Sequence, residues 1–153
     1  MARVGFASGG VRRGPDMDNP VARDSQRFPA APASVADARH FVEAWLRRLN
    51  TDEEAVEIAM LLTSELAGNA VLHGGGEIEL TIVRSIDTLR VEVQDSSAAL
   101  PRLRQPELYD PSGRGLHIVD ALATHWGTEP HASKQTKVVW FELALNGQPV
   151  GSG

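Results

Sequence analysis

The apolar and polar positions of the chain first recur with the period of a helix and later with the period of a strand. An apolar stripe typical of an amphipathic helix follows Ser34–Asp37, whose spacing fits a capping box. A second helix is predicted from about Asp52 to His73, because Thr51–Glu54 offers another capping box and Gly74–Gly76 ends the pattern. Two neighbouring helices are therefore expected before any long strand.

Two runs of alternating apolar and polar residues then predict an antiparallel hairpin that turns at Ser85–Thr88. One face of the hairpin is expected to be buried and the other wet or free of helices. Further strands are predicted at Arg27–Ala31, near Thr124–Glu129 and at Val138–Leu145, and a short helix is predicted after Gly115. This order indicates an α+β fold, a two-layer sandwich with helices on one face of a mixed, mostly antiparallel sheet.

Segments in which apolar residues recur with neither the helical nor the strand period define the expected limits of the folded domain. Residues 1–25 are rich in Gly, Pro, Asp and Arg and are predicted to form a disordered tail, and residues 147–153 form a second, polar tail. The folded domain is therefore expected to span residues 26–146. Within it, Ser96–Ser112 contains three prolines and no period, and a loop of this length in a small domain tends to be functional or mobile.

Composition narrows the classes of function. The chain has 153 residues, enough for one domain with a proper core, and a net charge of −5, which disfavours nucleic-acid binding. It has no cysteine, which excludes disulfides and thiol chemistry and fits a reducing compartment such as the cytoplasm. No run of about 18 apolar residues predicts a membrane span. The five histidines are scattered, and no P-loop or dinucleotide-binding glycine motif occurs.

The second predicted helix contains the most unusual pattern. Glu65, Asn69 and His73 recur every fourth residue and so form one line along a helical face. Apolar residues surround this line: Leu61, Leu62, Leu66, Val71 and Leu72. A carboxylate and an amide in such a setting need partners, for which a ligand or a metal ion is one source and water or a neighbouring loop is another. For His73 a structural role, capping the helix or packing under the loop, is favoured.

Two other places could contribute to a phosphate or nucleotide site. Asp95 ends a predicted strand and could accept a hydrogen bond from an amino group such as that of adenine, although strand ends often carry a carboxylate. Gly113 and Gly115 flank Arg114 before a predicted helix, whose N-terminus suits phosphate, although a plain turn explains the same residues. The amide oxygen of Asn69 would suit Mg²⁺, and Glu65 could accept a proton.

Taken together, these motifs resemble those of a known family. The segment Glu65–His73 resembles the N box of the GHKL ATPases, which include DNA gyrase, heat-shock chaperone, histidine kinase and mismatch-repair types. Asp95–Pro101 resembles their first glycine box and Gly113–Asp120 the second, which makes the intervening loop the equivalent of the ATP lid. Over about Phe28–Leu145 the chain looks like the small anti-sigma-factor serine kinases and the related stand-alone ATP-binding regulators of actinobacteria.

The resemblance implies a Bergerat-type site for ATP and Mg²⁺. It implies that Asn69 binds Mg²⁺, that Asp95 binds the adenine amino group, and that the backbone of Gly113, Arg114, Gly115 and Leu116 binds the phosphates. It also implies that Glu65 is the catalytic base of a serine/threonine protein kinase. The implied partners are an anti-anti-sigma antagonist of the STAS type, a sigma factor and a second copy of the chain.

Two departures from the family pattern keep other readings open. Ser97 and Ala99 stand in the first glycine box where the wider superfamily has glycines, and Val138 lacks a hydroxyl that often reaches the nucleotide. A nucleotide-gated protein-binding module without kinase activity is therefore the alternative to the kinase. A domain that keeps the fold but no longer binds nucleotide is a third reading.

Overall fold

We describe a computed structural model of the chain, which defines residues 3–4, 21–73, 76–96, 115–131 and 136–145. Nine elements follow one another within these ranges. They are β1 (Arg3–Val4), β2 (Ala22–Pro29), α1 (Ala33–Arg48), α2 (Glu53–His73), β3 (Glu77–Arg84), β4 (Thr88–Asp95), α3 (Gly115–Leu122), β5 (His125–His131) and β6 (Thr136–Ala144).

The strands form one sheet in the order β1-β5-β6-β4-β3-β2. Among the strands that the structure describes, only β1 runs parallel to its neighbour β5, and the other four pairings are antiparallel. The helices cover the face that carries Ile78, Leu80 and Ile82, and Arg84 on this face reaches the loop between α1 and α2. The predicted α+β sandwich with a mixed, mostly antiparallel sheet is therefore confirmed.

The core lies between this sheet face and α2. Small and branched apolar side chains of α2 are buried along its whole length: Val56, Ala59, Leu62, Leu66, Ala67 and Ala70. The stretch Glu53–Leu72 is long and apolar enough to cross a membrane, but a buried core helix has the same composition, and this one packs against α1, α3 and the sheet. Leu61 and Leu72, predicted to surround the polar line with apolar surface, are 40% and 51% exposed.

The helix caps differ from those predicted. The helix α1 begins at Ala33 after Pro32, which already has helical dihedrals, so that Ser34 lies inside the first turn and caps nothing. The capping box predicted at Ser34 is therefore wrong. At α2 the cap is Asp52, whose Oδ2 accepts a 3.1 Å hydrogen bond from the backbone N–H of Glu54. Thr51, the predicted cap, instead accepts a 2.9 Å hydrogen bond from Arg84.

The strand predicted at Arg27–Ala31 is longer and starts earlier than expected. It spans Ala22–Pro29 and pairs with β3 over its whole length. Because β2 is an edge strand, Phe28 is its only buried side chain, and the polar residues before it show no alternation. Residues 22–25 of the predicted tail therefore belong to the sheet, as do residues 3–4. Val21 just before them is described as well, and the other residues of both predicted tails lie outside the described residues.

The hairpin of β3 and β4 is confirmed, but its second face is not simply wet. Alternation places Arg90, Trp140 and Glu142 on the face opposite the helices, which we call the outer face. All three side chains are nevertheless buried. The guanidinium of Arg90 donates 2.8 Å hydrogen bonds to Glu92 and Glu142 and lies 4.1 Å from the ring centroid of Trp140. This outer face therefore holds a buried charged cluster, which the alternation alone does not predict.

Candidate functional site

The predicted polar line lies on the last three turns of α2. Asn69 is 7% exposed, and its Nδ2 atom has no hydrogen-bond acceptor in the part of the chain that the structure describes. Such an atom is expensive to bury unless a ligand completes its environment. Because the two ends of an amide have the same shape, a rotation of 180° would present the oxygen at the same point. Asn69 therefore places in the core a polar atom that has no hydrogen-bond partner among the described residues.

Glu65, one turn earlier on the same line, is only half buried. Removal from water disfavours its charged form and raises the pKa of its carboxyl group above the ordinary value of 4.5. A carboxylate with a raised pKa is a stronger base than an exposed carboxylate, which suits a group that accepts a proton. The position and chemistry of Glu65 are compatible with the role that the sequence suggests.

Asp95 is the last residue of β4 and lies on the face of the sheet that the helices cover. It follows the buried Val91 and Val93 in the alternation and is itself 2% exposed. Its register partner is Lys137 on β6, and the two side chains form an ion pair with 3.6 Å between Nζ and Oδ2. The carboxylate therefore has a cationic neighbour that the sequence analysis missed.

The C-terminal end of α2 and the end of β4 lie at the same end of the domain. Only residues 74–76 separate α2 from β3, and β3 begins beside the last residues of β4. Gly76 has a φ of 76°, which glycine adopts without strain, and a Cβ placed there would lie 4.0 Å from Oγ of Ser96. Asn69, in the last turns of α2, and Asp95, just before Ser96, therefore share one end of the sandwich.

The third predicted part of the site is the segment Gly113–Leu116, and the short helix α3 contains only half of it. Gly115 and Leu116 form its first turn, whereas Gly113 and Arg114 lie outside the described residues. Its C-terminal end is fixed near Glu142, because Trp126 Nε1 donates a 2.9 Å hydrogen bond to Asp120 and Thr124 N–H donates to the carbonyl of Glu142. With 8 residues, α3 begins roughly 12 Å from that end. Its positively polarised N-terminus lies at the other end of the helix, at Gly115.

Val138 lies on the face of the sheet opposite Asp95. Because Asp95 pairs with Lys137, the next residue, Val138, points to the outer face together with Gln94. A hydroxyl at position 138 would consequently not share the face of Asp95. The residue that does share it is Lys137, and only the strand register reveals this.

Within the described ranges, no group of three or more His, Cys, Asp or Glu side chains could hold a metal ion. A cleft of about 110 Å³ lies beside Asp95, but most of its lining comes from outer-face residues: Arg27, Glu77, Glu79, Gln94 and Thr136. This cleft is therefore separate from the polar line of α2. A Mg²⁺ ion held by one amide and by ligand phosphates is compatible with these findings, since Mg²⁺ commonly binds through few protein ligands.

The side chains described above have the chemical groups that binding of Mg·ATP would need. Asn69 offers a buried amide in need of a partner, Glu65 a carboxylate of raised pKa, and Asp95 an acceptor at the end of a buried strand.

The family model of the histidine kinase-like ATPase domain matches residues 28–143, and the chain belongs to this family. Such domains bind ATP, typically with Mg²⁺, so the family supports an ATP-binding regulator. Among curated proteins, none matches the chain significantly.

Proposed function

We propose that this protein is an ATP-dependent serine/threonine protein kinase of the anti-sigma-factor type. Its substrate would be a serine of an anti-anti-sigma antagonist of the STAS type, and it would hold a sigma factor when that antagonist is phosphorylated. The family supports nucleotide binding, and the line of Glu65 and Asn69 on α2 supports the transfer of a phosphoryl group. A cytoplasmic location would fit such a partner switch.

Each residue of the site has a distinct task in this proposal. Asn69 would hold Mg²⁺, which neutralises charge on the phosphates, and Asp95 would accept a hydrogen bond from the adenine amino group. The first turn of α3, with Gly113 and Arg114 before it, would bind phosphate through backbone N–H groups. Glu65 would accept the proton of the attacking serine hydroxyl. The serine oxygen then bonds to the γ-phosphorus as the bond to ADP breaks.

The observation that carries the proposal is the unequal environment of two polar residues one turn apart. Asn69 is buried and its Nδ2 atom has no acceptor among the residues that the structure describes, whereas Glu65 is only half buried and has a raised pKa. A purely structural helix face would favour apolar residues at both positions, because each polar group costs free energy on burial. A catalytic base at Glu65 beside a metal ligand at Asn69 would explain why both positions are polar in spite of this cost.

The sharpest test is transfer of labelled phosphate from Mg·ATP to purified STAS-type proteins from the same genome. The full chain should label at least one of them, and Glu65→Gln should lower the transfer rate by about 10²–10⁴-fold while ATP binding is retained. Glu57→Gln, at an exposed position of the same helix, is the matched control and should leave the rate unchanged.

The outcomes separate the proposal from its alternative. Unchanged transfer in Glu65→Gln would remove Glu65 as the base. Tight ATP binding with neither turnover nor transfer to any STAS-type protein would favour the nucleotide-gated binding module. That alternative keeps the same site but uses nucleotide only to shape a surface for the partner.

A further inference from the structure

We propose that Lys137 reads the purine base together with Asp95. In this arrangement the Asp95 carboxylate accepts a hydrogen bond from the exocyclic amino group of adenine, and the Lys137 ammonium donates one to the adjacent ring nitrogen N1. The inference rests on the nucleotide site of the proposed function and assigns a second base-recognising residue to it.

The geometry of the pair is the first support. The two residues are register partners on β4 and β6, so their side chains leave the same face of the sheet side by side. The side chain of Lys137 is 3% exposed and that of Asp95 is 1% exposed, and 3.6 Å separate Nζ of Lys137 from Oδ2 of Asp95. This separation exceeds the length of a charge-assisted hydrogen bond, about 2.7–2.9 Å, so the ammonium is a neighbour of that oxygen and is not bonded to it directly.

The chemistry of the base edge is the second support. Adenine presents a donor, its amino group, directly beside an acceptor, N1. The pair presents the complementary order, an acceptor on Asp95 beside a donor on Lys137. A lysine ammonium has three donors and a carboxylate about four acceptor positions, so adenine can join the pair without breaking it.

The cost of burial is the third support. An ion pair removed from water repays its desolvation only when further hydrogen bonds satisfy the remaining donors and acceptors. A base bound across Asp95 and Lys137 would supply one donor and one acceptor at once. A purine therefore matches this buried pair better than an apolar ligand does.

The test removes the proposed acceptor from the ligand. Isothermal titration calorimetry of the full chain compares Mg·ATP with Mg·1-deaza-ATP, in which a C–H group replaces N1, and with Mg·GTP. The wild-type protein should bind 1-deaza-ATP about tenfold more weakly than ATP, because a charge-assisted hydrogen bond is lost. Lys137→Met should bind ATP about as weakly as the wild type binds 1-deaza-ATP, and it should no longer distinguish the two ligands.

Several results would overturn the inference. Equal binding of ATP and 1-deaza-ATP by the wild type would exclude the contact with N1, and this comparison decides even if Lys137→Met does not fold. Retained discrimination in a folded Lys137→Met would exclude Lys137 as the donor. Tighter binding of GTP than of ATP would show that the pair selects guanine. Failure of every nucleotide to bind would instead remove the proposed function itself.

Discussion

Arg90 donates a 2.8 Å hydrogen bond to Oε2 of Glu142 across the β4–β6 pair, on the sheet face opposite the helices. The same guanidinium bonds Glu92 and stacks on Trp140, and the Arg90 side chain is only 1% exposed. Two carboxylates and an aromatic face thus share one buried cation. A buried charge is tolerated when it is paired in this way, and removal of one member leaves the others uncompensated.

Arg90→Met should therefore destabilise the protein by about 3–5 kcal/mol, because Glu142 loses its buried cation. The matched control is Arg27→Met, since Arg27 forms an exposed 3.9 Å pair with Glu77 that contributes only ~0–1 kcal/mol. Urea unfolding of both variants measures the difference. Equal losses of stability in the two variants would show that the outer-face cluster stabilises no more than a surface pair.

The cap of α2 gives a second prediction. Asp52→Ala should cost about 1 kcal/mol of unfolding free energy, because the backbone N–H of Glu54 loses its acceptor. Asp37→Ala removes an exposed carboxylate from the capping box that the structure does not form, and it should change stability by less than about 0.5 kcal/mol. Thermal unfolding of the two variants measures both changes in stability. A larger loss in Asp37→Ala than in Asp52→Ala would reverse the assignment of the caps.

Strong periodicity made much of the fold predictable. The helix expected from about Asp52 to His73 is Glu53–His73, and the hairpin turns where the alternation indicates. The sequence pattern does not reveal the start of the edge strand β2, because most of its side chains face water and show no period. Ser34 has the residue type of a helix cap but does not act as one, because Pro32 starts the helix before it. Local patterns therefore predict buried elements better than edges and ends.

The candidate site was predictable only where it lies on one element. A spacing of four residues identifies Glu65 and Asn69 on α2 without any knowledge of the rest of the fold. Lys137 could not be found in this way, because its proximity to Asp95 depends on the register of β6 against β4. The same holds for the burial of Arg90, whose partner Glu142 is 52 positions away in the chain.

The raised pKa of Glu65 predicts an effect of pH on stability. A carboxyl group whose pKa is higher in the folded than in the unfolded protein supports folding fully below its ordinary value of 4.5. That contribution is lost as the pH rises through the raised pKa, because the ionised form is poorly solvated. Glu65→Gln should therefore have a higher melting temperature than the wild type at pH 7.5, and the difference should shrink towards pH 4.

Differential scanning calorimetry across this pH range measures the effect. Glu57→Gln, at an exposed position of α2, is the control and should not raise the melting temperature at pH 7.5 as Glu65→Gln does. A melting temperature of Glu65→Gln below that of the wild type at pH 7.5 would mean that the charged form of Glu65 is stabilised in the fold.

The central claim is that the polar line of α2 and the end of β4 form a Mg·ATP site, and calorimetric titration of the full chain with ATP tests it most directly. We expect tight binding with Mg²⁺ and weaker binding with EDTA, and Asn69→Ala should remove most of this dependence on Mg²⁺. Glu57→Gln should bind as the wild type does. Absence of binding by the wild type, or an unchanged Mg²⁺ dependence in Asn69→Ala, would contradict the account.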